Sequence, residues 1–140
     1  MKRWERVVLV VDDDPDICWV LERLVESLKA KCIRALDCRS ALQAVRLSRL
    51  DLVLLDAKLP DMDGLELARQ IRRTAPGVPI MLISGYFYKD DPAVQAALEE
   101  ELICGFAEKP FLHTAVIGAM KAALCSPEAA PGAAEPLAAC

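Results

Sequence analysis

The sequence predicts an open, doubly wound α/β domain of three layers, with a parallel sheet between two layers of helices. Two observations carry this. Short, continuous apolar runs such as Val7–Val11 lack the polar alternation of a one-sided strand, so they suit strands buried on both faces. Between them lie longer segments whose apolar residues recur at helical spacing. Strands joined by helices run parallel, through right-handed crossovers.

The elements follow in order. After the first strand, Asp14-Pro15 supplies a capping carboxylate and a proline suited to the first helical position. Ile17, Val20, Leu21, Leu24, Val25 and Leu28 then form one apolar stripe, ending near Ala30. A second strand is expected over 31–36 and a modest helix over 40–48. Residues 52–55 read as a buried strand ending at Asp56, followed by a turn from Pro60 to Gly64 and a helix over 65–74. Residues 79–83 form the fourth strand, ending at Ser84. Asp91-Pro92 repeats the cap and proline, and its helix is expected to run to about Leu102. The fifth strand covers 103–108 and ends at Lys109-Pro110, and the last helix covers 113–124. From Ser126 the sequence SPEAAPGAAEPLAAC cannot bury a core. The expected organisation is therefore a domain over 1–125 and a disordered Ala/Pro-rich tail or linker over 126–140.

Composition narrows the function. Of 140 residues 54% are hydrophobic and 27% charged, a globular balance that excludes a wholly disordered chain. The net charge of −4 argues against a partner bound through phosphate neutralisation, so no direct nucleic-acid binding by this chain is expected. No apolar run approaches the roughly 20 residues of a membrane span, and the basic start is too short for an export signal, so a cytoplasmic protein is expected. Its six cysteines form no CxxC pair and read as reduced thiols packed as small hydrophobes.

In an open α/β sheet ligands bind at the carboxyl ends of the strands. Those ends carry Asp12 and Asp13, Asp56, Ser84 and Lys109. The first turn, DDDPD, has no glycine, so it cannot wrap a phosphate in backbone amides as a dinucleotide fingerprint or P-loop does. Carboxylates repel phosphate unless a cation lies between them. Magnesium fits, since it takes oxygen ligands and is held by one or two carboxylates plus phosphate oxygens. Carboxylates, a lysine and a hydroxyl suit phosphoryl transfer, with Asp56 the expected nucleophile.

Four stretches, LVVDDDPD, LVLLDAKLPDMDG, PIMLISG and FAEKPF, occur in order over roughly Arg6 to Leu124. Together they resemble the receiver domain of bacterial two-component response regulators. The resemblance implies a flavodoxin-like (βα)5 fold with strand order 2-1-3-4-5. It implies that Asp56 is the phosphoacceptor, that Asp12 and Asp13 hold Mg2+ with Asp13 the more direct ligand, and that the backbone carbonyl of Lys58 completes the set. Lys58, two residues after the acceptor, also matches a place that tunes water access. Ser84 and Lys109 correspond to the residues that bind the phosphoryl group, Phe106 to an aromatic switch, and Pro110 to a proline after a cis bond. The implied partners are a sensor histidine kinase or phosphotransfer protein as donor and a downstream effector or output domain. A homodimer through the fourth helix, fifth strand and fifth helix is a further implied contact. The implied role is a signalling domain rather than a turnover enzyme. The stretch DICWVLERLVESL is similar to receivers of enhancer-binding transcription activators.

The sequence departs from the family pattern in three places, one of them Cys38, which stands where many relatives have Gly. The loop GYFYKDDP is longer than the common spacing, and the switch position holds Phe rather than the commoner Tyr. Tyr86, Phe87 and Tyr88 in that loop fit either local packing or a partner surface. Trp19 is expected to pack beside the site, and His113 to lie at the surface. Two other readings are weighed. An interaction-only pseudo-receiver usually lacks a site residue. A haloacid-dehalogenase-type phosphatase is suggested by Asp12-x-Asp14, but Asp16 departs from its motif.

Overall fold

The computed structural model describes residues 6–85, 91–109 and 113–124. The strands are β1 (Val7–Val11), β2 (Lys31–Ala35), β3 (Leu52–Asp56), β4 (Ile80–Ser84) and β5 (Gly105–Glu108). The helices are α1 (Pro15–Ser27), α2 (Cys38–Leu47), α3 (Gly64–Thr74), α4 (Pro92–Glu99) and α5 (His113–Leu124). All strand pairs are parallel, in the order β2-β1-β3-β4-β5. The strands therefore end on one edge, and the order reverses at β1 and β3, where a crevice opens.

The two-residue alternation along each strand sorts the core into two halves. Leu9, Val11, Val53, Leu55, Ile80 and Leu82 pack on one face with residues of α2, α3 and α4. Val8, Val10, Leu52, Leu54, Met81 and Ile83 pack on the other with residues of α1 and α5. Both faces of β1, β3 and β4 are covered, which is why their sequences are unbroken apolar runs.

Aspartates start α1 to α4. Asp14, Asp37, Asp63 and Asp91 accept from the backbone N–H of Asp16, Ser40, Leu65 and Ala93, at 2.9, 2.8, 3.0 and 2.9 Å. Each such cap is worth about 1 kcal/mol.

Several boundaries differ from expectation. α2 begins two residues before position 40, because Asp37 rather than a later residue is its cap. β2 ends at Ala35, and Leu36 is 46% exposed. α4 ends at Glu99 rather than near Leu102. Glu101 has φ 62, which turns the chain, and the N–H groups of Leu102 and Ile103 both bond to the carbonyl of Ala97. Those two apolar side chains thus reach the core from a turn, and β5 starts only at Gly105.

Two expectations are corrected. Trp19 does not pack into the fold; it is 54% exposed, with the Arg23 guanidinium 5.1 Å from its ring centroid. It points outward because the α1 stripe buries Cys18, Leu21, Leu24 and Val25. Cys104 is disulfide-bonded, whereas Cys18, Cys32 and Cys38 are free as expected. No spacing in the sequence marks Cys104.

The amino edge of the sheet is tied by side chains that bond to backbone. The Val7 N–H donates to Asp51 at 2.8 Å. Arg72, at the end of α3, donates to the carbonyls of Pro76, Val78 and Leu102, joining α3 to the segments that lead into β4 and β5.

Candidate functional site

β1 and β3 are neighbours, with Val11 opposite Leu55, so the residues that follow, Asp12 and Asp56, stand side by side at the carboxyl edge. Asp12 is 1% and Asp56 7% exposed, while Asp13 is exposed. One carboxylate oxygen from each of Asp12, Asp13 and Asp56 lies within 4.8 Å of the others. From β5, Lys109 reaches across the crevice. Its Nζ donates to Asp12 at 2.8 Å and stands 3.4 Å from Asp56.

The first turn is held by its own short bonds. The Asp14 N–H donates to Asp12 Oδ1 at 2.9 Å, and the Asp12 N–H donates to the Ala35 carbonyl at 3.1 Å. Behind it the Cys18 thiol donates to the Asp12 carbonyl at 3.3 Å. Burial, then the charge of Asp12, pushes this thiol up to about 11, so it stays neutral and serves as a donor. Its role was not legible in the sequence, where it reads only as one of six cysteines packed as small hydrophobes.

The loop from Ala57 to Asp63 folds back on itself. Gly64 N–H bonds to the Ala57 carbonyl at 2.8 Å, Leu59 N–H to the Met62 carbonyl at 3.3 Å, and Lys58 pairs with Asp63 in an antiparallel bridge. Gly64 must be glycine here: a Cβ would lie 2.3 Å from the Asp56 carbonyl oxygen and 2.7 Å from the Ala57 Cα. At the loop tip, Asp61 accepts from the N–H groups of Cys38 and Arg39 at the start of α2. That contact, too, has no local signature in the sequence.

Electrostatically the crevice holds more carboxylate than ammonium. Asp56 is pushed up to about 6, mainly by burial and then by the charge of Asp12, against the opposing pull of Lys109 and the Lys58 N–H. Burial alone would lower Lys109, but the hydrogen bond and charge of Asp12, and then the charge and hydrogen bond of Asp56, outweigh it and raise the ammonium above its usual range. A surplus of clustered, partly buried carboxylate oxygens suits a hard divalent cation, and the donor set offers no soft ligand.

The other expected residues fall as follows. Ser84 is fully buried at the end of β4, one residue beyond Ile83, the partner of Asp56, and its carbonyl accepts from the Lys109 N–H at 2.8 Å. Phe106 is half-buried in β5, opposite Leu82, and packs on the α2–α3–α4 half of the core. Pro110, the aromatic residues Tyr86, Phe87 and Tyr88, the bulk of the longer loop and the 126–140 stretch lie outside the described residues, as does the side chain of His113.

The profile of the family described as response regulator receiver domain matches residues 8–121. Among curated relatives, the DNA-binding transcriptional regulator NtrC of Escherichia coli (strain K12) is 32% identical over 105 residues, 75% of this chain but 22% of that protein. Response regulator protein TodT of Pseudomonas putida (strain F1) is 31% identical over 122 residues, 84% of this chain and 51% of that one. The chain thus spans about a fifth to a half of these relatives. The signal receiver domain of an HD domain-containing protein from Pseudomonas fluorescens Pf-5 superposes with a TM-score of 0.75 at 29% identity, covering 84% of this chain and 92% of that one. A CheY-like receiver from Methanospirillum hungatei JF-1 shares the fold, with a TM-score of 0.76 at 23% identity over 84% and 91% of the two chains. With its five parallel strands in the order 2-1-3-4-5 and a carboxylate crevice where that order reverses, the chain belongs to the response regulator receiver domain family.

Proposed function

We propose that this chain is a phosphoacceptor receiver that takes a phosphoryl group on Asp56. The observation that carries the reading is the crevice itself: Asp12, Asp13 and Asp56 within 4.8 Å, with the Lys109 ammonium between Asp12 and Asp56. The donor is a phosphohistidine of a sensor kinase or phosphotransfer protein. An Asp56 carboxylate oxygen attacks phosphorus; the O–P bond forms as the P–N bond breaks, and the imidazole nitrogen leaves with the electron pair and takes up a proton.

Asp12, Asp13, Asp56 and the Lys58 carbonyl are the residues that would hold Mg2+, which when bound neutralises charge on the transferred oxygens. The chain's own residues do the rest. Asp12 orients the Lys109 ammonium, and Lys109 neutralises a phosphoryl oxygen once Asp56 is modified. The Lys58 N–H holds the acceptor carboxyl in place. Ser84, buried beside the acceptor strand, turns its hydroxyl to the phosphoryl group, and Phe106 moves inward with it.

The resulting change is read on the face of α4, β5 and α5, by an effector, an output domain or a second copy. We assign the receiver domain to residues 1–125 and a linker or tail to 126–140, and place the exchange in the cytoplasm. The domain is modified rather than turning over a substrate. The DNA binding in NtrC's name is said of a protein of which this chain matches 22%.

Intact mass after incubation with acetyl phosphate tests the reading. The wild-type chain should gain one phosphoryl group only with Mg2+ present, and Asp56→Asn should gain none. Phosphorylation that persists in Asp56→Asn overturns the acceptor assignment, and no gain in the wild type favours an interaction-only pseudo-receiver.

A further inference from the structure

We infer that Asp61 is a positioning residue, which anchors the tip of the β3–α3 loop on the amino end of α2 and so sets the Lys58 peptide at the acceptor site. The inference rests on the phosphoacceptor reading for its consequence, but its geometry stands independently. Asp61 Oδ1 accepts from the Cys38 N–H at 3.0 Å, and Oδ2 lies 3.4 Å from the Arg39 N–H. Asp37 takes the Ser40 N–H at 2.8 Å. The first three N–H groups of α2 are thus met by two different aspartates, one local and one from the acceptor loop. A carboxylate at a helix amino end is favoured by both the N–H groups and the helix dipole. The backbone bonds, Cys38 first, hold Asp61 below the usual carboxylate range.

The loop is rigid enough to transmit this anchor. Its arms are closed by the Gly64–Ala57 and Leu59–Met62 backbone bonds and the Lys58–Asp63 bridge, and Met62 packs on the core below. Among the described residues, Asp61 makes the polar contact that carries this tip to a different helix. Lys58 lies in the same closed loop, and its backbone N–H is one of the groups that favour the charged Asp56 carboxylate. Releasing the tip lets the loop tilt about its base, and the Lys58 peptide tilts with it. Groups that orient a metal ligand without touching the metal typically change affinity by about 10–100-fold when removed.

The experiment compares Asp61→Ala, Asp61→Asn and Asp37→Ala with the wild-type chain. Each is read by Mg2+ affinity from calorimetry and by hydrogen exchange of the Lys58 amide without metal. Asp61→Ala should weaken Mg2+ binding about 10-fold and speed Lys58 exchange. Asp61→Asn, which keeps an acceptor oxygen, should recover most of both. Asp37→Ala removes a cap from the same helix without touching the loop, so it should cost stability and leave both readouts near wild type. Wild-type behaviour in Asp61→Ala, or an equal loss in Asp37→Ala, overturns the inference. If the wild type binds no Mg2+, it is the phosphoacceptor reading that fails, and Lys58 exchange alone then decides the anchor: faster exchange in Asp61→Ala only supports it, and equal exchange overturns it.

Discussion

At the carboxyl edge of the sheet the charged side chains face one another, whereas at the amino edge they face the backbone. Asp12, Asp13, Asp56 and Lys109 meet in one crevice, where burial and like charge push Asp56 up to about 6. At the opposite edge Arg72 and Asp51 spend their charge on carbonyls and an N–H. A charge bonded to backbone gains stability and has nothing further to do. Charges crowded together cost stability until something arrives to rebalance them. The same fold thus keeps its fastening and its chemistry at opposite ends of the strands.

This contrast can be broken first at the amino edge. Arg72→Met should cost about 2–4 kcal/mol, because it removes charged hydrogen bonds and leaves carbonyls unmet. Urea denaturation checks this, and phosphorylation by acetyl phosphate should persist in the folded fraction. A loss below about 0.5 kcal/mol would mean that the three carbonyls are met by water instead.

At the carboxyl edge the sign should reverse. In metal-free buffer Asp56 binds its proton more tightly when folded, at about 6, than at its ordinary 3.8. Its contribution to stability is therefore full below the ordinary value and is lost as pH rises through about 6. Moving from 3.8 to about 6 corresponds to about 3 kcal/mol. Asp56→Asn should be more stable than wild type by up to about that amount at pH 7.5, with the gap closing toward pH 4. Denaturation of both chains across that range, with a pH-independent difference, would contradict the crowded-charge account.

Gly64→Ala sharpens the comparison, because it places a purely steric demand at the chemical edge. A Cβ 2.3 Å from the Asp56 carbonyl oxygen forces the backbone to move, at about 2 kcal/mol. Thermal denaturation should show the loss, together with a weaker response to Mg2+ than in Asp61→Asn. The smallest effect expected is a gain. Lys29, just before β2 at the amino edge, holds φ 61, and its N–H bonds to the Glu26 carbonyl at 2.9 Å. Lys29→Gly should stabilise by about 0.5–1 kcal/mol, once the larger unfolded-state entropy of glycine is set against the relief. Unchanged denaturation midpoints would show that the side chain compensates for the strain.

The strand runs, the Asp-Pro helix starts and the five polar residues at the strand ends were all legible in the sequence, because each follows from short-range periodicity or from position at the end of a run. β1 and α5 match their expected ranges, and the sequence motifs fit the family to which the chain belongs. The misreadings have two causes. The end of α4 and the start of β5 turn on a single left-handed residue, Glu101, whereas Trp19 faces away from the apolar stripe of α1.

The sequence by itself determined which segments become strands and helices, and which polar residues end them, since burial on both faces demands continuous apolar runs and capping demands a local acceptor. Only the tertiary structure decided that Lys109 lies 2.8 Å from Asp12, 97 residues away, that Asp61 caps a helix it does not begin, and that Arg72 ties α3 to the approaches of β4 and β5. The reason is physical. Periodicity and capping act within a few residues, whereas these contacts exist only once parallel pairing has brought distant chain segments to the same edge of the sheet.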